Sequence, residues 1–197
     1  MPHGRCYAVG MEDPILPLTN QIALIIAPHA ARPQMLELVG QLALAGTVYV
    51  LDCGNQLNMF PVSRAMRRRS TQVNAALEHI HTRRAFTCYQ ALVMLKETPA
   101  SPAPTLILDL LSTFYDEDVK LPEARRLLRG CQEQLQRLSE LGPVLVTSRP
   151  PKPMVYAERV ELLERLREAA TVLWEVNMEY NASEHPPKTQ SGLFEEG

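Results

Sequence analysis

Short apolar runs alternate along this chain with apolar residues at helical spacing. Continuous apolar runs of strand length predict buried strands at 21–27, 47–52, 105–111, 143–148 and 171–176, with a shorter strand inside 76–85. Helical spacing predicts helices at 34–45, 61–70, 88–97, 123–141 and 160–170. Because strands alternate with helices throughout, we expect an α/β fold whose sheet is mostly parallel and flanked by helices.

This pattern indicates one folded domain at 21–180. Residues 1–20 contain three prolines (Pro2, Pro14 and Pro17) and are expected to be irregular, and 181–197 is expected to be a polar, flexible tail. A chain of 197 residues is long enough for one α/β domain and too short for two of ordinary size.

Composition narrows the class of protein. Hydrophobic residues make up 46% and charged residues 21%, which is typical of a globular chain. A net charge of −2 excludes a protein that holds nucleic acid by bulk positive charge alone. The apolar runs are too short for a membrane span, the N-terminus lacks the apolar stretch of a signal peptide, and the four cysteines form no C-x-x-C pair. We therefore expect a cytoplasmic protein with no membrane contact, no metal and no cofactor.

Several short strings occur in an order that resembles the core of the RecA/RadA recombinase family. A strand ending in Asp52 precedes a basic helix, and the string 83–87 (RRAFT) leads into another helix. A strand ending in Asp109 then precedes a long helix rich in Arg and Leu, and the next strand ends in Ser148. The resemblance spans roughly 20–176 and implies a three-layer sandwich of the P-loop NTPase type.

The phosphate-binding loop of that family, G-x-x-x-x-G-K-[ST], should follow the first strand. With Ala27 at the first glycine, the second glycine falls on Arg32. The lysine then falls on Pro33 and the Ser/Thr on Gln34, so no position matches. Pro28 and Pro33 also lack the N–H groups that such a loop directs at a phosphate. The sequence thus predicts a degenerate Walker A site.

Two further parts of the family's ATPase site are missing. The turn after Asp52 contains no glutamate to orient a water, and the strand 143–148 is followed by Arg149 rather than a glutamine sensor. Asp109 alone stands where a magnesium-linked acid is expected. Phosphoryl transfer depends on such positioning groups, so we predict a pseudo-ATPase that does not hydrolyse ATP. The resemblance then implies an accessory or assembly factor in DNA repair and recombination, bound to another RecA-like subunit or to itself.

Arginines are concentrated in one part of the chain. Between 64 and 84 they outnumber the acids, of which there is only Glu78, and each cation that neutralises a phosphate favours nucleic-acid binding. The loop 149–156 is cationic, whereas the loop 115–120 is acidic and would repel DNA. The candidate DNA contacts are Arg64, Arg67, Arg68, Arg69, Arg83, Arg84, Arg149 and Lys152.

Two other functions fit the same residues. One is a small-molecule enzyme on a doubly wound sheet, with Asp52, Asp109 and Ser148 lining a cleft. The other is a regulator whose arginines dock an acidic protein without any nucleic acid role. A polar, ligand-sized pocket beside the two aspartates would favour the enzyme, and salt-dependent DNA binding would favour the repair factor.

Overall fold

Six parallel strands form one sheet at the centre of the molecule. The computed structural model describes residues 19–115, 118–151 and 157–176. The sheet has the order β3-β2-β4-β5-β1-β6, and every neighbouring pair is parallel. The strands are β1 (Ile22–Ile26), β2 (Val48–Asp52), β3 (Ile80–Arg84), β4 (Thr105–Leu108), β5 (Val144–Ser148) and β6 (Val172–Glu175).

Helices cover both faces of this sheet. The helices are α1 (Arg32–Ala45), α2 (Met59–Arg67), α3 (Val73–Glu78), α4 (Cys88–Glu97), α5 (Leu121–Ser139) and α6 (Val160–Ala169). Short 3-10 turns lie at Pro28–Ala31, Leu110–Phe114 and Ala157–Arg159. The apolar side chains of α1, α2 and α3 pack on one face, and those of α4, α5 and α6 on the other. The predicted α/β fold with a parallel sheet between two helical layers is confirmed.

The continuous apolar run of β1 is explained by its place inside the sheet. Its alternate residues Ala23 and Ile25 pack with α1, whereas Leu24 and Ile26 pack with α5 and α6, and all of them are buried. A strand covered on both faces gains from apolar side chains at every position, not only at alternate ones.

Local sequence signals account for several helix ends. Pro33 lies in the first turn of α1, where a missing N–H costs nothing, and Gly46 ends that helix, both as predicted. Asn58 and Thr87 are N-caps whose side chains accept hydrogen bonds from the backbone N–H groups of Phe60 and Gln90.

The predicted strand at 105–111 is wrong in its second half. The strand stops at Leu108, Asp109 takes a left-handed conformation (φ 53°), and a 3-10 turn follows at Leu110–Phe114. The turn residues Leu110 and Leu111 are fully buried, so their apolar character reflects burial rather than strand structure. The short helix α3 was not predicted either.

The predicted irregular segment 1–20 and tail 181–197 lie outside the described residues, except for 19 and 20. In the described part, helices of a length and hydropathy suited to crossing a bilayer do not occur.

Candidate functional site at the carboxyl ends of the strands

The carboxyl ends of β2, β4 and β5 bring the chain's buried charges together. Asp52 ends β2, Asp109 follows β4, and Arg149 follows β5. Both aspartates have no exposed surface. Ligands of open α/β sheets bind at this edge, so the partners of these carboxylates bear directly on function.

Asp52 is neutralised by its own chain. Its Oδ1 accepts the N–H of Gln56 at 2.8 Å, and its Oδ2 accepts the N–H of Leu57 at 3.0 Å. Arg84, the last residue of β3, donates through Nε to the same Oδ2 at 3.0 Å. The carboxylate therefore holds the turn after β2 and joins it to the end of β3.

Asp109 is paired as completely. Its Oδ2 forms an ion pair with Arg149 Nε at 2.9 Å and accepts a hydrogen bond from Gln56 Nε2 at 3.0 Å. Its Oδ1 accepts the backbone N–H of Arg149 at 3.1 Å, and Arg149 also donates to Ser112 Oγ at 2.6 Å. Burial raises the pKa of the Asp109 carboxyl above its ordinary value, and the hydrogen bond and charge of Arg149 offset this only in part.

Gly54 lets the turn after β2 approach Asp109 closely. A Cβ at this position would lie 2.6 Å from Asp109 Cβ and 2.8 Å from its Oδ2. No side chain fits there unless the backbone shifts. The two strand ends are thus locked together by Gln56 and by this glycine.

A cavity of about 590 Å³ opens beside the paired aspartates, between β1, α1 and the turn after β2. Its apolar lining comes from Ala27, Pro28, Ala31, Pro33 and Val176. Its polar lining comes from His29, Arg32, Gln34, Asn55, Gln56 and Arg149, with Gly54 at the wall. The predicted degenerate positions Ala27, Arg32, Pro33 and Gln34 therefore meet at one cavity. Asp109 does not line it, and neither does Asp52 or Ser148.

The turn that borders this cavity is strained. His29, Ala30 and Ala31 all have φ of 52°, a left-handed conformation that costs an L-residue other than glycine about 1–2 kcal/mol. The N–H of Ala30 is bonded to Ala27 O at 2.9 Å, and the N–H of Arg32 is bonded to His29 O. Because Pro28 and Pro33 also lack N–H groups, four of the six residues 28–33 have no N–H to direct at a phosphate.

Most of the candidate DNA contacts are ion-paired within the chain. Arg68 and Arg69 both bind Glu37 of α1, and Arg83 binds Glu97 at the end of α4. Arg84 and Arg149 hold the two aspartates, and Lys152 lies outside the described residues. Of the predicted set, Arg64 and Arg67 are the exposed arginines without a side-chain partner in the described part of the chain.

Sequence reasoning missed the open edge of the sheet. β3 pairs only with β2 among the described strands, and its residues after Ile80 are all exposed. Beside it, Phe86 is 67%, Tyr89 48% and Val93 51% exposed, which is unusual for large apolar side chains. The polar string IHTRR was a usable signal, because an interior strand of a parallel sheet would be apolar throughout.

Other reactive groups do not assemble into a site in the described segments. No group of three or more His, Cys, Asp or Glu there could hold a metal ion. His79 Nδ1 lies 2.8 Å from Ala43 O, and the ring of His81 stacks on Tyr49. Cys53 and Cys131 are buried thiols whose pKa values burial raises, that of Cys131 to about 12.

Among known proteins, no family model and no curated sequence matches this chain.

Proposed function

We propose that this chain is a non-catalytic RecA-like protein that serves as an accessory or assembly factor in DNA repair and recombination. It acts by binding a protein partner, either another RecA-like subunit or a second copy of itself. The observation that carries the proposal is the internal neutralisation of Asp52 by Arg84 and of Asp109 by Arg149.

This pairing argues against catalysis. A magnesium-linked or general-base carboxylate needs a lone pair available to the ion or substrate. Asp109 is instead fully buried, accepts hydrogen bonds from the Arg149 N–H and Gln56 Nε2, and is ion-paired with the Arg149 side chain, so an ion or substrate would have to displace these partners. Pro28 in the turn before α1 and Pro33 in its first turn remove two of the N–H groups that a triphosphate would use. Both the missing phosphate loop and the ion-paired Asp109 support the proposal that the chain does not hydrolyse ATP.

The open edge of β3 supplies a surface for a protein partner. Val48 N–H donates to His79 O and Ala85 N–H donates to Asp52 O, so alternate residues 79, 81, 83 and 85 face β2. The N–H and C=O groups of Thr82 and Arg84 are therefore directed away from the sheet, where an added strand could pair with them. Phe86 and Val93 offer apolar contacts next to that edge.

DNA contact is the second part of the proposal, and Arg64 and Arg67 carry it. They are exposed on α2 and compete with no intramolecular carboxylate in the described part of the chain. Each phosphate contact adds about one unit to the slope of log K against log salt. A weak, salt-sensitive contact with few phosphates fits an accessory subunit better than a recombinase groove.

Strand addition is tested with a matched pair of substitutions at Thr82. Thr82→Pro removes the outward N–H while leaving the bonds to β2 intact, and Thr82→Val keeps that N–H. The partner in the assay is the RecA-like recombinase of the same organism, mixed with each variant and followed by size-exclusion chromatography with light scattering. We expect a complex, or a homodimer, with the parent protein and Thr82→Val but not with Thr82→Pro.

The pseudo-ATPase and DNA proposals are tested separately. Turnover of MgATP should equal that of a buffer blank, and turnover abolished by Asp109→Asn would contradict the proposal. Anisotropy of labelled single-stranded DNA should show binding that weakens steeply with salt and is lost in an Arg64→Gln, Arg67→Gln double variant. The control is Arg129→Gln, which removes an exposed arginine on α5. Loss of DNA binding in both variants, or in neither, would count against the α2 contact.

The cavity of about 590 Å³ favours one alternative, a small-molecule enzyme on a doubly wound sheet. It lies next to the two aspartates, but its lining contains neither of them nor Ser148. Ser148 Oγ donates to Arg149 O at 3.0 Å, so it is not activated by a base. An enzyme would therefore need other groups of the lining, such as His29, as its acid or base.

A further inference from the structure

We propose that the cavity between β1, α1 and the turn after β2 binds a small organic carboxylate that has an apolar, ring-sized body. The proposal concerns ligand binding and does not rest on the proposed role in DNA repair. A volume of about 590 Å³ lies within the range of about 300–1,000 Å³ that is usual for small-molecule sites.

The charge of the lining selects an anion. No acidic residue lines the cavity within the described part of the chain, whereas two arginines do. Arg149 is neutralised by Asp109, but Arg32 makes no ion pair with any described residue. The guanidinium of Arg32 is therefore the group available to a ligand, and it matches one carboxylate through two parallel hydrogen bonds.

The backbone around the cavity favours a carboxylate over a phosphate as that anion. Of the residues 28–33, two are prolines, and the N–H groups of Ala30 and Arg32 are bonded to carbonyl oxygens of the same turn. Tight phosphate sites use several converging N–H groups, and four of these six residues have none to offer. A carboxylate needs only the side chain of Arg32 and the amides of Gln34 and Asn55.

The rest of the lining selects an apolar body. Pro28, Pro33, Ala31 and Val176 contribute rigid or small apolar surface to the lining of the same cavity. Proline rings are rigid, so they lose little conformational entropy when a flat ligand packs against them. Burying this apolar surface under the ligand also releases water from it, which favours binding. Three successive left-handed residues at 29–31 also border the space, and such strain is concentrated at ligand-binding segments.

The test uses 2-naphthoate and its neutral counterpart 2-naphthylmethanol, with ATP as a third probe, titrated calorimetrically into the full chain. We expect naphthoate to bind about tenfold or more tightly than the alcohol, which corresponds to a charge-assisted hydrogen bond. Arg32→Gln should abolish that preference. Val176→Trp, which fills the cavity, should abolish binding of both, and Arg64→Gln should change nothing.

Three results would overturn the proposal. One is an absence of naphthoate binding at millimolar concentration. Another is binding that persists in Val176→Trp, which would place the probe elsewhere, for example on the exposed Phe86. The third is Arg32-dependent binding of ATP that is tighter than that of naphthoate, which would make the cavity a phosphate site. The folding of each variant is checked by its circular dichroism spectrum.

Discussion

The carboxyl end of β2 and the outer edge of β3 are adjacent in the sheet, yet the polar groups of the first are buried and those of the second are exposed. At the end of β2 the carboxylate of Asp52 is fully buried and every oxygen is bonded within the chain. Along β3 the residues after Ile80 are exposed, and Phe86 lies in solvent with 67% of its surface accessible. A buried polar group must be satisfied internally, so the first region fixes the fold. The second region leaves strand-edge groups and apolar side chains exposed, and it is the surface at which we propose that a partner binds.

The largest effect is expected from Asp52→Ala. It leaves the N–H groups of Gln56 and Leu57 and the guanidinium of Arg84 without their acceptor. We expect a loss of about 3 kcal/mol in the free energy of unfolding, measured by urea denaturation. Glu133→Ala, an exposed residue of α5, is the control and should be nearly neutral. Equal effects of the two substitutions would show that the pairing of Asp52 does not stabilise the fold.

Gly54→Ala should have the next largest effect. The added Cβ would lie 2.6 Å from Asp109 Cβ, so the turn after β2 must move. We expect a loss of about 2 kcal/mol by the same measurement. Gly130→Ala is the matched control, because its Cβ would meet only the flexible end of Leu92 at 3.1 Å and alanine favours the helix. A Gly54→Ala protein as stable as Gly130→Ala would mean that the strand ends are not locked.

Asp109→Asn tests how the charge of the buried Asp109 carboxyl changes the free energy of unfolding with pH. Burial raises the folded-state pKa of Asp109. The unfolded chain therefore ionises first, and the fold loses stability as the pH rises from the ordinary pKa of 3.8 through the raised value. Asparagine cannot ionise, so the stability of Asp109→Asn relative to the parent should improve as the pH rises above about 4. Urea denaturation across that range measures it, and relative stability that improves on acidification instead would contradict the sign.

Ala30→Gly should stabilise the protein slightly. Ala30 has φ of 52°, which glycine adopts without cost, while the greater freedom of glycine in the unfolded chain offsets part of the gain. We expect a net gain of about 0.5 kcal/mol in the same assay. Ala27→Gly, at a residue with φ of −151°, should instead destabilise. A loss in both variants would show that the turn at 29–31 is not strained.

The smallest effect is expected at the β3 edge. Phe86→Ser and Val93→Ser remove exposed apolar groups and should change the free energy of unfolding by less than about 0.5 kcal/mol. The same substitutions should weaken the complex described above, with Leu141→Ser, another exposed apolar residue, as control. A large loss of stability at Phe86 would show that this side chain contributes to the fold rather than to a surface.

The sequence by itself determined the class of fold, because strands and helices are predicted from the spacing of apolar residues along a short stretch of chain. The strand-length apolar run of β1 and the stripe of Leu127, Leu128, Cys131, Leu135 and Leu138 on α5 each predict burial from spacing alone, and all are buried. The absence of a phosphate loop is likewise visible in the residues 27–34. Each of these features needs only neighbours along the chain.

Only the tertiary structure decided which arginines pair with the two aspartates and which strand lies at the edge of the sheet. Arg84 and Asp52 are 32 positions apart, and Arg149 and Asp109 are 40 apart, so nothing local predicts that the arginines neutralise these acids rather than a phosphate backbone. The same holds for β3, whose exposure follows from its outer place in the order β3-β2-β4-β5-β1-β6. The electrostatic attraction between an arginine and an aspartate depends on their distance in space. The order of the strands in the sheet sets that distance.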